Sequence, residues 1–514
     1  MSAYLYKHQR IVLAVLIILF LLSLIPIFMV AGVDCASGDD YNYGAGAHLS
    51  FISTGSVWAA ILAAVTTTIN TWHNWQGTWF DCFLFCLHPE VFSDSAYVIV
   101  PYIFVIMQVV CFSYFAWHFL KRHFGISGLY FLEISLIYLL FVFQLVPSQK
   151  SAFFWWVGSI HYAMPMCLAL VGIVKADNYL LYHKISDLVM LSIIAAMMGG
   201  ATYPAALLLV ISVFLLWLAG FVLSHTRDKR NLLLLIPLLL ETIGLTISML
   251  APGNAVRSAS DIADGATPTS GVLSTIMKSV TFSITDGLTG FIGEKTFILI
   301  AFILIGIISV EPLKAAREND QERFNTLFNH PVVFVLVMFL LNASIYTPRL
   351  YAGNHASSGY NNFNFWVFTV CISASIIYIA GCLISKDKLI VNRYLMPIIF
   401  AFAVLAIMFF GRHGVKQYTD YVCLDYYLSG QAHDYKEQMA LQRYLMEEDG
   451  VDDVVVPEIN DYQGPLMHMP IVSDQGNVDN LMTKSFYGKN SCRSLPREQW
   501  MEEYKDKYSR FYNG

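Results

Sequence analysis

Apolar runs recur along this chain from residue 11 to about residue 411; the shorter fourth and fifth, 158–174 and 186–200, fit either half-helices or tilted spans. We place candidate spans at 11–33, 96–119, 128–147, 158–174, 186–200, 204–223, 232–250, 296–310, 331–346, 363–385 and 394–411. A run near 20 apolar residues matches a hydrocarbon core of about 30 Å. Charged residues make up 13% of the 514, against about 25% in a soluble domain. Both observations give an all-α polytopic membrane protein of about eleven helices, counted from those runs. The first run is longer than the roughly 7–15 residues of a signal sequence core and no small-residue cleavage site follows it, so it reads as an uncleaved transmembrane helix. The net charge of −6 is small and dispersed, which gives no footprint for nucleic acid.

Basic residues set the expected orientation. With the N-terminus on the cytoplasmic side, the cytoplasmic segments carry Lys7, Arg10, Lys121, Arg122, Lys175, Lys184, Arg227, Lys229, Arg230, Lys314, Arg317, Arg323, Lys386, Lys388 and Arg393. The opposite side of the core carries only Lys150, Arg257, Lys278, Lys295 and Arg349. The positive-inside rule favours that orientation, and an odd number of spans puts the segment from Arg412 outside. Residues 1–411 form the expected membrane core. Residues 412–514 form a small external α/β tail, with an amphipathic helix at Asp434–Glu448, a strand at Asp453–Pro457 and a helix at Arg497–Phe511.

The first external loop, 34–95, has the most unusual composition. It opens with Asp34, Asp39 and Asp40, contains Trp72, Trp75 and Trp79, and has neither Lys nor Arg. Tyr43–Ser53 and Ser56–Thr71 are apolar but too short or too polar to span, and we expect two helices lying in the interface. The tryptophans suit either interfacial anchoring or stacking on a sugar. Two later external loops each place an arginine just past a helix end: Arg257 after Ala251-Pro252-Gly253-Asn254, and Arg349 after Thr347-Pro348. An interfacial stretch at Val272–Ile284 follows the first of these.

Adjacent carboxylates let one accept a proton while the other orients it or holds a cation. An arginine fork grips phosphate oxygens through two parallel bonds. Asp39 and Asp40 are therefore the expected catalytic residues, with Arg257, Arg349 and Lys150 on a phosphate. Each also has an ordinary reading: Asp-Asp-Tyr as a turn, Arg257 paired to Asp261 or Asp264, Arg349 as an interface anchor, Lys150 as a solvated charge, His161 as a satisfied core histidine. Glu133 and Glu241 fall inside apolar runs, where an acid is costly. Cys82 and Cys86 with His73 and His88 fit no zinc spacing. Cys423 and Cys492 are a candidate disulfide in an oxidising compartment.

A first transmembrane helix, then Asp-Asp-Tyr (Asp39, Asp40, Tyr41) in a long external loop with interfacial helices, then Trp-x-x-Trp-x-Gly (Trp72 to Gly77), resembles the GT-C superfamily of integral-membrane glycosyltransferases. The later Ala-Pro-Gly-Asn…Arg stretch and the tail are similar to its bacterial O-antigen glucosyltransferase branch. The resemblance implies a GT-C-like core and an inverting transfer of a sugar from a polyprenyl-phosphate donor. The acceptor would be a surface glycan or lipid-linked saccharide at the outer face of the cytoplasmic membrane. The acidic catalytic residue of the superfamily falls on Asp39 or Asp40, with Asp40 the closer match because Tyr41 follows it. The phosphate-contacting residues fall on Arg257 and Arg349. Trp72, Trp75, Trp79, His161 and Tyr41 are candidate sugar or interface contacts. The one cofactor considered is a divalent cation, Mg²⁺ or Mn²⁺, on Asp39 and Asp40. Thr78 stands where relatives often carry arginine. Against this reading stand a transporter or flippase of lipid-linked glycans and a non-catalytic glycan-assembly protein.

Overall fold

The computed structural model describes residues 8–126, 128–223, 227–267, 271–388, 405, 412–460, 462, 464–504 and 506. Among them, eight helices are long and apolar enough to cross a membrane: Gln9–Ala31, Ala96–His123, Trp156–Tyr182, Tyr203–Val222, Lys229–Met249, Ile298–Asn319, Pro331–Ala352 and Ser358–Ser385. Tyr130–Leu145 and Ile185–Met198 are shorter apolar helices. The chain is thus an all-α, multi-pass membrane protein. The expected run at 394–411 lies almost wholly outside the described residues.

One helix outruns its apolar window through added turns whose polar residues are paired. Trp156–Tyr182 continues past the expected 158–174. There Lys175 Nζ lies 2.9 Å from Asp187 Oδ1, and Asp177 Oδ2 lies 2.6 Å from both His118 and His123 Nε2. Trp156–Tyr182 and Ser358–Ser385 are the most enclosed of the eight, whereas Gln9–Ala31 and Pro331–Ala352 present large apolar faces outward. Outward apolar side chains are the usual surface of a protein solvated by lipid.

Close helix crossings rest on glycine. A Cβ on Gly199 would meet the Gly244 Cα at 2.7 Å, so Lys229–Met249 approaches the end of Ile185–Met198 backbone to backbone. This is the small-residue device of membrane helix packing.

The loop after the first span folds as expected, into helices Asp39–Thr54 and Val57–Asn74 packed on each other. A short helix, Trp79–Phe85, follows. Val272–Thr285 and Gln431–Glu447 are helices near the expected positions. In the tail, strand β1 (Asp453–Pro457) pairs in parallel with strand β2 (Ser491–Leu495), Asp453 opposite Ser491. The helix expected at Arg497–Phe511 is described over Arg497–Tyr504. Cys423 and Cys492 are free and buried in different clusters, so the candidate disulfide is not formed. Cys492 Sγ instead contacts the Asn480 carbonyl at 3.2 Å.

Candidate functional site

Asp39 and Asp40 begin one helix, in the first turn of Asp39–Thr54, where the helix dipole favours negative charge. Gly38 makes the turn with φ of 53°, and a Cβ there would collide with Met469 Sδ at 2.0 Å. The two carboxylates then part. Asp40 is fully buried. Its Oδ2 accepts from Tyr97 Oη at 2.5 Å and from Ser37 N at 3.4 Å, and its Oδ1 accepts from Val157 N at 3.1 Å. Burial pushes the Asp40 carboxyl up to about 7, with these hydrogen bonds pulling the other way. Asp39 is partly exposed and accepts no hydrogen bond among the described residues. Burial raises its carboxyl above the ordinary range; the Arg257 charge opposes this and the Asp479 carboxylate of the tail adds to it.

The tryptophan-rich stretch positions Arg257. Trp72 Nε1 donates to the Ile247 carbonyl at 3.1 Å and Trp79 Nε1 to the Gly244 carbonyl at 3.5 Å. Gly77 N donates to Asn254 Oδ1 at 3.0 Å, and a Cβ on Gly77 would sit 1.8 Å from the Ser248 carbonyl oxygen. A Cβ on Gly253 would meet Trp75 N at 2.3 Å. The two glycines therefore permit a backbone-to-backbone clasp between Trp72–Trp79 and the end of Lys229–Met249. Helix Gly253–Ala263 starts from that clasp and carries Arg257, whose guanidinium donates to Gln76 Oε1. Among the described residues Arg257 forms no ion pair with Asp261 or Asp264.

Arg257 and Arg349 line one cavity of ≈ 650 Å³ with Gln76, His161, Tyr203 and His355. The Arg349 guanidinium lies over the Tyr360 ring at 5.2 Å and the Phe282 ring at 5.7 Å, with its Nε buried and unpartnered. His161 Nδ1 is 2.7 Å from Oδ2 of the fully buried Asp81. That bond fixes the imidazole and leaves Nε2 for a ligand. Burial raises the Asp81 carboxyl well above its usual range. A cavity with two guanidiniums and a carboxylate-oriented imidazole can hold a multiply charged anion such as a phosphate.

The sequence-expected residues divide accordingly. Arg257, Arg349 and His161 converge on the cavity; Asp39 is not among its lining residues but lies in electrostatic range of Arg257. Asp40 is buried behind that turn. Trp72, Trp75 and Trp79 are not in the lining, and Trp72 and Trp79 are held against Lys229–Met249. Tyr41 is buried against Phe486, with ring centroids 4.7 Å apart, away from the lining. Lys150 is not in the lining and its side chain forms no ion pair among the described residues.

Sequence reasoning missed Gln76, Tyr203 and His355, and held Asp81 only as a fallback carboxylate. It also missed the part the tail takes. Met469 N donates to Ser37 Oγ at 2.7 Å, and Arg443 Nη2 lies 3.0 Å from Glu90 Oε1, so residues far along the chain brace the Asp39–Asp40 turn. No nearby pattern signals such pairs. No family model, no characterised protein and no solved structure matches this chain.

Proposed function

We propose that the protein is an inverting membrane glycosyltransferase of GT-C type. It takes a sugar from a polyprenyl-phosphate donor to a glycan or lipid-linked acceptor at the outer face of the cytoplasmic membrane. The observation that carries this reading is the convergence of Arg257 and Arg349 on one cavity with Asp39 in electrostatic range. In this reading Asp39 accepts the proton of the acceptor hydroxyl as that oxygen bonds to the anomeric carbon. The bond from that carbon to the phosphate oxygen breaks, and its electron pair leaves with the phosphate. Arg257 and Arg349 stabilise the charge that develops. His161, held by Asp81, hydrogen-bonds the donor. Asp40 shapes the turn that presents Asp39.

The pair does not offer two carboxylates to Mg²⁺ or Mn²⁺, because both Asp40 oxygens already accept hydrogen bonds from Tyr97, Ser37 and Val157. The test is product formation from a radiolabelled polyprenyl-phosphate sugar by the purified chain in detergent, across a panel of donor sugars. Binding of donor without any transfer would favour a transporter.

One observation favours that second reading. Glu241 is buried within the span Lys229–Met249, and its Oε1 has no hydrogen-bond partner. Intramembrane acids mark substrate or ion pathways and proton relays, among other roles. Translocation of the lipid-linked sugar by the wild type in vesicles, abolished by Glu241→Gln, with no glycosyl transfer by either protein, would establish it.

A further inference from the structure

The far end of the bundle holds a second cluster of polar groups. Helices Ala96–His123 and Trp156–Tyr182 both begin beside Asp40, through Tyr97 and Val157. From Val157 to Asp177 an α-helix rises about 30 Å, and from His161 in the arginine-lined cavity about 24 Å, so Asp177 lies toward the other end of the bundle. Helix Ala96–His123 ends in a π-helical turn, Trp117–His123. In an α-helix, residues five apart diverge by about 140°. The wider i→i+5 turn brings them close to one face. The turn thus puts His118 and His123 on one side, and both face Asp177: each Nε2 is 2.6 Å from Asp177 Oδ2. The three donor atoms lie within 4.8 Å of one another.

The neighbours leave this carboxylate to the imidazoles. Arg122 stands between the histidines in sequence, yet its guanidinium lies 4.9 Å from the Trp117 ring centroid and 5.2 Å from that of Tyr182. It donates to Tyr182 Oη at 2.8 Å and Asn178 Oδ1 at 3.4 Å. Among the described residues, the ion pairs of Asp177 are those with His118 and His123. A carboxylate that is 5% exposed needs a compensating charge. A divalent cation supplies the charge. The His118 side chain is fully enclosed and its Nδ1 has no partner, while His123 is 27% exposed, so access runs past His123.

We propose that His118, His123 and Asp177 bind a divalent transition metal of the zinc class. Two imidazoles and a carboxylate are the donor set of a site with three protein ligands and an open position. His123 and Asp177 also line a largely apolar cavity of ≈ 590 Å³, with Phe112, Leu170, Val337 and Tyr378. His123 and Asp177 open onto that cavity, which suits the polar head of an apolar molecule. The proposal is independent of the glycosyltransferase reading.

The test uses the full-length protein in detergent, stripped with a chelator and titrated with Co²⁺. The expected result is one saturating equivalent, a visible absorption band of a four- or five-coordinate ion, and its bleaching by Zn²⁺. His123→Gln, at the most exposed ligand, should weaken binding by more than about tenfold, as should His118→Ala and Asp177→Asn. His433→Ala, at an exposed histidine elsewhere, should leave binding unchanged. Circular dichroism and gel filtration check that each variant folds. If His118→Ala or Asp177→Asn fails to fold, the wild-type titration and His123→Gln decide. Absence of saturable binding by the wild type, or equal binding by His123→Gln, overturns the proposal and leaves a His–Asp–His hydrogen-bond network.

Discussion

Arg443 and Glu90 stand 353 positions apart and meet at 3.0 Å, with Glu90 1% exposed. Glu90 Oε2 also accepts from Ala36 N at 2.9 Å, so this pair ties the tail to the segment that leads into Asp39. Phe486 and Tyr487 pack on Tyr41, and Cys423, Tyr426 and Tyr435 belong to the same apolar cluster as the membrane helices. The tail is therefore continuous with the core on this side, while Leu445, Val454, Cys492 and Trp500 form a smaller cluster of their own.

Removing one partner of an enclosed ion pair leaves the other uncompensated. Arg443→Ala should destabilise the protein by about 3–5 kcal/mol, read as a lowered unfolding midpoint in detergent. Glu90→Gln in that background should recover most of the loss. Equal midpoints for wild type and Arg443→Ala would show that the pair carries no weight.

The Asp40 carboxyl, held up at about 7 by burial against an ordinary value of 3.8, makes stability depend on pH in a definite direction. Below the ordinary value the group is protonated in both folded and unfolded chains and contributes nothing. Between the two values the unfolded chain releases the proton while the folded one keeps it, so stability falls as pH rises, and the loss is complete above about 7. Asp40→Asn removes that titration. Its unfolding midpoint should fall less than the wild type's between pH 4 and about 7. Parallel curves for the two proteins would contradict the assignment.

What was legible in the sequence was what is local. The two helices of 34–95 follow from apolar runs too short to span, and β1 from the run Asp-Val-Val-Val-Pro. Arg257 was found because Pro-Gly marks a helix end; Thr-Pro does not end its helix, since Arg349 lies within Pro331–Ala352 rather than past it. The roles of the tryptophans were not legible, because Trp72 is held by a carbonyl 175 positions away. Nor could Asp39 and Asp40 be told apart: the partners that occupy Asp40 lie at Tyr97 and Val157, and adjacency in sequence says nothing of which side chain turns inward. The π-helical turn at Trp117–His123 was invisible for a related reason, since apolar periodicity does not register one extra residue in a turn.

Arg349 should act on the donor. Arg349 lines the cavity, seated over Tyr360 and Phe282, and no carboxylate pairs with it among the described residues. Arg349→Ala should raise the donor KM by about tenfold or more, the loss of one charge-assisted hydrogen bond of roughly 1.5–3 kcal/mol. Arg349→Lys should recover part of it, because a point charge cannot reproduce the fork. Donor titrations of the three proteins at fixed acceptor check this, and coincident curves would take Arg349 out of the site.

The last prediction separates the two aspartates. Asp39 has free oxygens and the Arg257 charge in range; Asp40 has its oxygens occupied. Asp39→Asn keeps the size of the side chain and cannot accept a proton. Turnover should fall by about 10²–10⁴-fold, the usual worth of a positioned base, with donor binding retained. Asp40→Asn should cost less, through a loosened turn rather than a lost base. Because burial raises the Asp39 carboxyl and the base must be ionised, the acid limb of the wild-type rate profile should lie above the ordinary carboxylate range. Rates measured from pH 4 to pH 8 at saturating donor and acceptor supply both comparisons. A larger loss for Asp40→Asn than for Asp39→Asn would reverse the assignment. Near wild-type turnover in both would move the base to His161, which already lines the cavity with its Nδ1 held by Asp81.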